Sequence, residues 1–478
     1  MLLRVIGWLL NIEAVFMLAP CIVGFFYDEH SGIKFLTCIG ITLGCGIGMV
    51  SLKPKSRDMG KREAIILTGL TWVVLSAFGM LPFLLCGTHM SITDAFFETM
   101  SGFTTTGASV LDTLHGVPHS ILLWRCVVQW IGGLGIILFT LAVLPMLNYQ
   151  GGMQLFNAEV TGITHDKLRP RVSFTAQSLW GVYLVLTLIC IALLSVSELS
   201  FFEAVCYGLS TMSTGGFATQ DTSISDLGNL YIKVVLIIFM FMGGVNFSLL
   251  YKLVTGKFKE FFRNEVIRWY IILIVGFAVI LAINVLVTGL MENWEDVTID
   301  PLFQTVSLLS STGLVEPDFY DWGAVPVVLL VIMMIMGACA GSTSGGAKID
   351  RFVVLFKFVR NEFHKLMHPN AITTVTLNGK GTPPPILLKT LAFLFLYIAV
   401  IVAGGFIMVI IGLPLKDSFF ISLSAVSNTG LGTDITGING NFALIPDVAK
   451  WLVSFLMLVG RLELFTILIL FSPSFWRK

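Results

Sequence analysis

Ten long apolar runs, separated by polar connections, confine this chain to a membrane. A helix crosses a bilayer with about 20 consecutive apolar residues, and every run reaches that length. Hydrophobic residues make up 56% of the 478 residues and charged residues only 12%, about half the charged share of an average soluble domain. These proportions exclude an ordinary soluble enzyme, a disordered chain and a collagen-like fibre. The runs span residues 3–26, 33–52, 64–87, 120–147, 177–197, 230–254, 269–290, 324–358 (interrupted), 386–412 and 447–471.

The charged residues alternate by side along the chain. Connections rich in Lys and Arg alternate with connections that contain neither but carry many Asp and Glu. The basic connections are 53–63, 148–176, 252–268 and 348–389, and the acidic ones are 88–119, 198–229 and 291–323. The positive-inside rule places the basic side in the cytoplasm, so an even number of spans puts both termini there. The acidic face would concentrate cations and repel anions.

One short segment is repeated four times on the side predicted to be external. Each copy is an apolar-rich stretch of about ten residues that ends in Thr-Gly, and such a stretch is too short to cross a bilayer. The copies are AFFETMSGFTTTGA (95–108), EAVCYGLSTMSTGGF (203–217), PLFQTVSLLSSTGLV (301–315) and SFFISLSAVSNTGLG (418–432). Long apolar runs flank each copy. The sequence therefore predicts four units of span, half-helix, loop and span, preceded by two additional N-terminal spans.

Four such loops around one axis would form a cation-selective pore. Irregular backbone at membrane depth survives only where protein buries it or where it lines a water-filled cavity. Glycine permits a positive φ and bares the carbonyls before it, which can replace the water around a dehydrated cation. The C-terminal ends of the half-helices add partial negative charge. The predicted filter residues are Thr105, Thr106, Gly107, Ser213, Thr214, Gly215, Ser311, Thr312, Gly313, Asn428, Thr429 and Gly430.

Two features below the predicted filter suggest a gate. The eighth run is interrupted by GACAGSTSGGAK, residues 337–348, and glycine weakens a helix by about 1 kcal/mol relative to alanine. The small residues of this loop could block a narrow pore or fold aside. Arg461 lies in the middle of the last run, where a charge costs about 2.5 kcal/mol or more and usually faces a cavity. A packing kink and a purely structural interhelical bond are the alternatives. The predicted gate residues are Gly341, Ser342, Thr343, Ser344, Gly345, Gly346 and Arg461.

Four motifs resemble signatures of a known family: FETMSGFTTTGAS (97–109), QWIGGLGI (129–136), GACAGSTSGGAKIDR (337–351) and VGRLELFTILIL (459–470). Together they resemble the Trk/Ktr/HKT superfamily of K⁺ transporters, specifically its bacterial TrkH type, over essentially the whole chain. The resemblance implies an all-α polytopic membrane protein in which four pseudo-symmetric helix–pore-loop–helix repeats surround one central pore. It also implies a homodimer, a cytosolic TrkA-like nucleotide-binding regulatory ring, an intramembrane gate loop and a pore-wall role for Arg461. Family members with serine at the first-loop glycine tend toward Na⁺, so the four glycines here favour K⁺.

These observations predict K⁺ uptake across a bacterial inner membrane, driven by the membrane potential. That potential contributes about 2.3 kcal/mol per charge per 100 mV, which sustains a substantial gradient without coupling. The alternative is a K⁺/H⁺ or K⁺/Na⁺ symporter, for which Glu98 and Glu463 are the candidate coupling carboxylates. K⁺ is the expected ligand, with Na⁺ or Rb⁺ as alternatives, and no other cofactor and no nucleic acid is expected. An intramembrane enzyme would need a catalytic constellation within the spans, and the sequence offers none.

The repeats also predict how the chain is divided. The expected units are 1–59 (an N-terminal transmembrane hairpin), 60–150, 151–262, 263–380 (containing the gate loop) and 381–478. Arg125, Lys233 and Lys450 lie near the outer ends of their spans. We expect their long side chains to snorkel toward the water.

Overall fold

The protein is helical throughout its membrane core. A computed structural model describes residues 1–52, 60–135, 172–221, 229–289, 293–315, 319, 322–371, 373–433, 435–437 and 441–477. Within these residues, six helical segments are long and apolar enough to cross a membrane. The N-terminal part consists of α1 (Leu2–Phe16), α2 (Leu18–Phe26) and α3 (Ser31–Ser51).

Four successive groups of helices follow. The first comprises α4 (Lys61–Gly79), α5 (Leu81–Leu85), α6 (Ile92–Phe103) and α7 (His119–Gly133). The second comprises α8 (Val172–Leu194), α9 (Phe201–Ser213), α10 (Leu230–Gly244), α11 (Phe247–Val254) and α12 (Phe258–Arg263). The third comprises α13 (Glu265–Thr288), α14 (Trp294–Leu309), α15 (Ala324–Met336), α16 (Ile349–Met367) and a small hairpin, β1 (Thr376–Leu377) with β2 (Lys380–Gly381). The fourth comprises α17 (Pro384–Ile411), α18 (Leu415–Ser427), α19 (Asp447–Arg461), α20 (Leu464–Leu468), a 3₁₀ turn (Ile469–Phe471) and α21 (Pro473–Trp476).

The helices α6, α9, α14 and α18 are the four predicted half-helices. They contain 12, 13, 16 and 13 residues, and at about 1.5 Å per residue none can span a hydrocarbon core about 30 Å thick. Their ends lie at the centre of the bundle, where every residue from Ala95 to Phe103 is buried. The long helices instead expose apolar side chains such as Ile283 of α13 and Phe395 of α17. This distribution leaves the polar loops enclosed by protein and the apolar surface for lipid.

Each half-helix is followed by a second short helix, which we call a return helix: α7, α10, α15 and α19. The return helices have only 13 to 15 residues. The sixth and tenth runs, 230–254 and 447–471, were predicted as continuous spans, and this is wrong. The chain bends by 113° between α10 and α11, and by 118° between α19 and α20. The predicted interruption of run 324–358 is confirmed, whereas residues 136–147 of the fourth run lie outside the described residues.

The bends occur because the return helices end against the half-helices. A Cβ atom on Gly132 would overlap the carbonyl oxygen of Phe103, and one on Gly460 would overlap that of Val426. At Gly243 it would lie 2.8 Å from Cγ2 of Thr214. Glycine lets the backbones approach this closely, and the chain must then turn away from the axis.

The N-terminal helices are attached to the first repeat by Glu29, in the connection between α2 and α3. Its carboxylate accepts hydrogen bonds from the His119 backbone N–H at 2.6 Å and from the hydroxyls of Ser31 and Ser120, both at 2.9 Å. Burial raises the pKa of this carboxyl. The hydrogen bonds from His119, Ser31 and Ser120 together lower it by more, so the pKa lies below the ordinary value. The ionised group therefore ties the hairpin to the start of α7.

Acid should weaken this attachment. A lowered pKa in the folded state stabilises the protein above the unfolded pKa of 4.5, and that contribution is lost as the pH falls through the lowered pKa. We expect Glu29→Gln to reduce the melting temperature of detergent-solubilised protein at pH 7. The difference from the parent should shrink steadily below about pH 4.5. A difference that stays constant down to pH 3 would contradict this account.

Candidate ion pathway

The four half-helices end in the same backbone motif. The N–H groups of Thr105, Thr214, Ser311 and Asn428 bond to the carbonyl three residues earlier, at 2.9 to 3.2 Å. The following N–H groups bond to the carbonyl five residues earlier, at 2.8 to 3.1 Å. This is a Schellman cap, which requires a left-handed residue just beyond the helix. All four residues have φ between 52° and 55°, a region that β-branched threonine rarely enters.

This motif corrects the register predicted for the second loop. The prediction aligned Gly215 with Gly107, Gly313 and Gly430 because each follows a threonine. In the structure the left-handed residue is Thr214, so Gly215 corresponds to Thr106, and Gly216 takes the place of Gly107. The φ angles agree: Gly107, Gly216, Gly313 and Gly430 have values of 84°, 80°, 76° and 75°. Ser213 belongs to the last turn of α9, one position before the loop.

The four glycines form a closed ring. A Cβ atom on Gly107 would overlap the carbonyl oxygen of Gly215 in the next repeat. The same relation links Gly216 to Thr312, Gly313 to Thr429, and Gly430 back to Thr106. Each repeat therefore contacts its successor at one level, and the last contacts the first. All four glycines also line one cavity of about 270 Å³, whose lining includes Asp112 and Asp221.

The loop between α15 and α16 lies against the other side of the ring. The Thr343 hydroxyl is 3.1 Å from that of Thr214, and the Gly345 N–H donates to the Ser311 hydroxyl at 2.5 Å. A Cβ atom on Gly345 would lie 3.0 Å from Cβ of Asn428. The loop is held in turn by the end of α10, because the Thr343 N–H donates to the Gly243 carbonyl at 3.2 Å. The remaining predicted gate residues, Gly341, Ser342, Ser344 and Gly346, lie in this loop, and the hydroxyls of Ser342 and Ser344 are 2.8 Å apart.

Arg461 connects the loop to the first repeat. Its guanidinium donates to the Thr343 carbonyl at 2.6 Å, to the Thr105 hydroxyl at 3.1 Å and to the Gly132 carbonyl at 2.7 Å. It also donates to the carbonyl of Gly133. Arg461 has these partners because α19 ends at this residue. The left-handed residue of every repeat is therefore contacted by Thr343, by Gly345 or by Arg461.

Glu463, one of the two predicted coupling carboxylates, is also paired. Glu463 forms an ion pair with Arg351 of α16, whose guanidinium also stacks 3.6 Å above the Phe393 ring. Lys348 donates to the carbonyl and hydroxyl of Ser344. Lys348 thus braces the loop at 337–348 internally, and the Arg351–Glu463 pair joins α16 to the segment after α19.

Three basic residues expected to snorkel are instead paired inside the protein. Lys233 contacts Asp300 of the third repeat at 2.6 Å, and Lys450 contacts Asp94 of the first at 2.5 Å. Arg125 is 2% exposed and contacts the fully buried Glu98 at 2.7 Å. Each pair joins a return helix to a half-helix of the same repeat or of a neighbouring one.

The Arg125–Glu98 pair should matter most for stability. Removing one partner leaves a buried, uncompensated charge, which typically costs about 3–5 kcal/mol. We expect Arg125→Met to lower the melting temperature strongly, and the double variant with Glu98→Gln to recover much of the loss. Thermal unfolding of the purified protein in detergent tests this. Equal destabilisation by the single and double variants would show that the charge is not the cause.

Two buried polar residues were not predicted from the sequence. Glu13 of α1 is 3% exposed, and neither of its carboxylate oxygens has a hydrogen-bond partner in the described part of the chain. Gln129 of α7 is fully buried and donates to the Gly215 carbonyl at 2.7 Å. Glu13 is the one acidic residue within the run 3–26, so the sequence does offer a signal for it. Nothing in the local sequence around Gln129 indicates that it reaches another repeat.

A ring of loop carbonyls and glycines, set at the ends of four half-helices inside an apolar bundle, defines a membrane protein that transports cations. A family model for TrkH, described as a cation transport protein, matches residues 44–478. The Trk system potassium uptake protein TrkH of Salmonella typhimurium is 34% identical, over 99% of each chain. TrkG of Escherichia coli K12, also a Trk system potassium uptake protein, is 32% identical over 99% of this chain and 97% of its own.

A solved structure agrees over the whole length. The crystal structure of the potassium transporter TrkH from Vibrio parahaemolyticus matches with a TM-score of 0.89 and 32% identity. The match covers 100% of this chain and 99% of that one. This chain belongs to the TrkH family of cation transport proteins. It is a multi-pass membrane transporter and not an enzyme, and potassium is the ion transported by its family.

Proposed function

We propose that this protein takes up K⁺ through the glycine ring, with residues 337–348 and Arg461 as the gate and the membrane potential as the driving force. The observation that carries the proposal is the closed cycle of contacts Gly107–Gly215, Gly216–Thr312, Gly313–Thr429 and Gly430–Thr106. A cycle of backbone carbonyls around one axis suits a dehydrated cation. The names of the relatives, Trk system potassium uptake proteins, support the choice of K⁺.

Flux into proteoliposomes tests this function. Purified protein is reconstituted, and ⁸⁶Rb⁺ uptake is driven by an imposed inside-negative potential without proton or Na⁺ gradients. We expect uptake that K⁺ competes away and Na⁺ does not. Uptake that begins only after a proton or Na⁺ gradient is added would favour the symporter. If neither gradient produces uptake, a variant with Arg461→Ala separates a closed gate, which it should open, from a protein without a pore.

The symporter alternative needs a free carboxyl group in the membrane. Glu98 is paired with Arg125, and Glu463 with Arg351, so neither predicted candidate suits this role. Glu13 is the better candidate, because it is buried without a described partner and a Cβ atom on Gly79 would lie 2.8 Å from its Oε1. Gly79 in turn packs against Thr99 and Phe103 of the first half-helix.

Glu13→Gln distinguishes the two mechanisms. The amide keeps the size of the side chain and cannot carry a proton. For the channel mechanism we expect ⁸⁶Rb⁺ flux equal to that of the parent between pH 6 and 8, because conduction does not involve this group. Loss of proton-driven uptake, with protein that remains monodisperse, would support symport instead.

The proposal extends to the assembly. We assign the repeats to 60–150, 151–262, 263–380 and 381–478, after an N-terminal hairpin at 1–59. The protein resides in a bacterial inner membrane with both termini in the cytoplasm, since its basic connections lie on that side by the positive-inside rule. It forms a homodimer and binds a TrkA-like nucleotide-binding ring through its cytoplasmic segments. Cysteine labelling of the termini in intact cells and mass measurement of the purified complex test these assignments.

A further inference from the structure

The second repeat departs from the other three at the ring. Thr106, Thr312 and Thr429 each place a hydroxyl 2.7 to 2.9 Å from the hydroxyl two residues earlier, in Thr104, Ser310 and Ser427. The second loop has Gly215 at this position, so it has no side chain that could make this bond. Its carbonyl is nevertheless one of the four in the ring.

Gln129 of the first repeat occupies the space of the missing side chain. A Cβ atom on Gly215 would lie 2.5 Å from Oε1 and 2.7 Å from Nε2 of Gln129. The amide donates to the Gly215 carbonyl at 2.7 Å. Its oxygen accepts from the Ser210 hydroxyl at 3.1 Å and from the Phe217 N–H at 3.3 Å. One side chain thus holds the second loop before, at and after the ring.

The same helix position is different in the other repeats. Gln129 lies three residues before Gly132 in its return helix. The residues three before Gly243, Gly337 and Gly460 are all methionines, Met240, Met334 and Met457, and all three are fully buried. Three return helices therefore have methionine at this position, and three loops have threonine at the ring. The remaining return helix has Gln129, and the remaining loop, which Gln129 contacts, has Gly215.

We propose that Gln129 is a positioning residue that sets K⁺ over Na⁺ discrimination in the second quarter of the ring. Its Nε2–H fixes the Gly215 carbonyl and competes for the electron density that this oxygen offers to an ion. Among the described residues, this is the one ring carbonyl for which we find a side-chain hydrogen bond. The ring therefore contains three similar carbonyls and one that already accepts a side-chain hydrogen bond. This inference rests on the proposed conduction of K⁺.

A reciprocal exchange tests it. Gln129→Met removes the donor, and we expect the ⁸⁶Rb⁺/²²Na⁺ uptake ratio in proteoliposomes to fall about tenfold, the effect of one hydrogen bond. Gly215→Thr alone should also be harmful because its Cβ meets Gln129. The double variant Gln129→Met/Gly215→Thr recreates the combination found in the other repeats, and we expect it to restore the ratio to within about threefold of the parent.

The outcomes separate this inference from the proposed function. An unchanged ratio in monodisperse Gln129→Met, or a double variant no better than the single ones, would overturn the role of Gln129 while leaving conduction intact. Absence of selective uptake in the parent protein would instead overturn the proposed function. If Gln129→Met does not fold, Gln129→Glu keeps the size and the Oε1 acceptor but replaces the donor. The same fall in the ratio is then expected.

Discussion

Gly107→Ser should remove most of the preference for K⁺ over Na⁺. The Cβ atom of the new residue would overlap the Gly215 carbonyl, so that oxygen must move, and the φ of 84° adds strain for any residue with a side chain. Displacement of one ring oxygen changes the cavity that compensates for ion dehydration. We expect the ⁸⁶Rb⁺/²²Na⁺ uptake ratio to fall at least about tenfold, equivalent to about 1.4 kcal/mol.

Gly116→Ser is a matched control. Gly116 has the same φ of 84°, but a Cβ atom there meets nothing within 4 Å. It should therefore show the cost of backbone strain without the contact in the ring, and its ion preference should equal that of the parent. A comparable loss of preference in both variants would assign the effect to strain or misfolding. Gly216→Ser should resemble Gly107→Ser, and this result would verify the corrected register.

Arg461→Ala should increase ion flux through protein that has no regulatory partner. The substitution removes a positive charge beside the Thr105 hydroxyl and breaks the bond to the Thr343 carbonyl. A hydrogen bond to a charged group contributes about 1.5–3 kcal/mol. We therefore expect the rate of ⁸⁶Rb⁺ uptake under a fixed potential to rise by about tenfold or more.

Arg461→Lys separates the two causes. Lysine keeps the charge but loses the planar fork that joins Thr343, Gly132 and Gly133. If the loop is held closed mainly by hydrogen bonds, the lysine variant should approach the alanine variant in flux. If the charge is the barrier, it should stay near the parent. A lower flux in both folded variants than in the parent would refute a gating role for Arg461.

The sequence predicted the half-helices and the interrupted eighth run because both predictions depended on local length and composition. Segments of about ten apolar residues before Thr-Gly cannot span a bilayer, and the structure has half-helices there. The run of Gly, Ser and Thr at 341–346 predicted an interruption, and α15 ends at Met336 before it. The position of the left-handed residue in the second loop, Thr214, could not be predicted in this way. Either Ser213-Thr214-Gly215 or Thr214-Gly215-Gly216 could match the three loop residues that end in glycine in the other repeats. Only the hydrogen bonds to the carbonyls of Ser210 and Thr211 decide between them.

What the sequence did not predict depends on distant contacts. Runs 230–254 and 447–471 contain no proline to mark their bends, and the bends lie beside Gly243 and Gly460, which pack closely against half-helices. Arg125 was expected at a water interface, yet Glu98, 27 residues earlier, is its partner. Gln129 reaches Gly215 across 86 residues. No periodicity or local composition records such distances.

In the sequence, the Gly-, Ser- and Thr-rich segment 337–348 follows one return helix and has no similar segment directly after the other three. An assembly of four identical subunits would carry four copies of any such insertion, and four twelve-residue segments could not all lie beneath one narrow opening. A single polypeptide that encodes each quarter separately avoids this crowding. It can place the loop at 337–348 in one quarter, the Arg461 that donates to its Thr343 carbonyl in another, and the Gln129 that donates to the Gly215 carbonyl in a third. Fusion of the repeats thus allows a division of labour that strict rotational symmetry forbids.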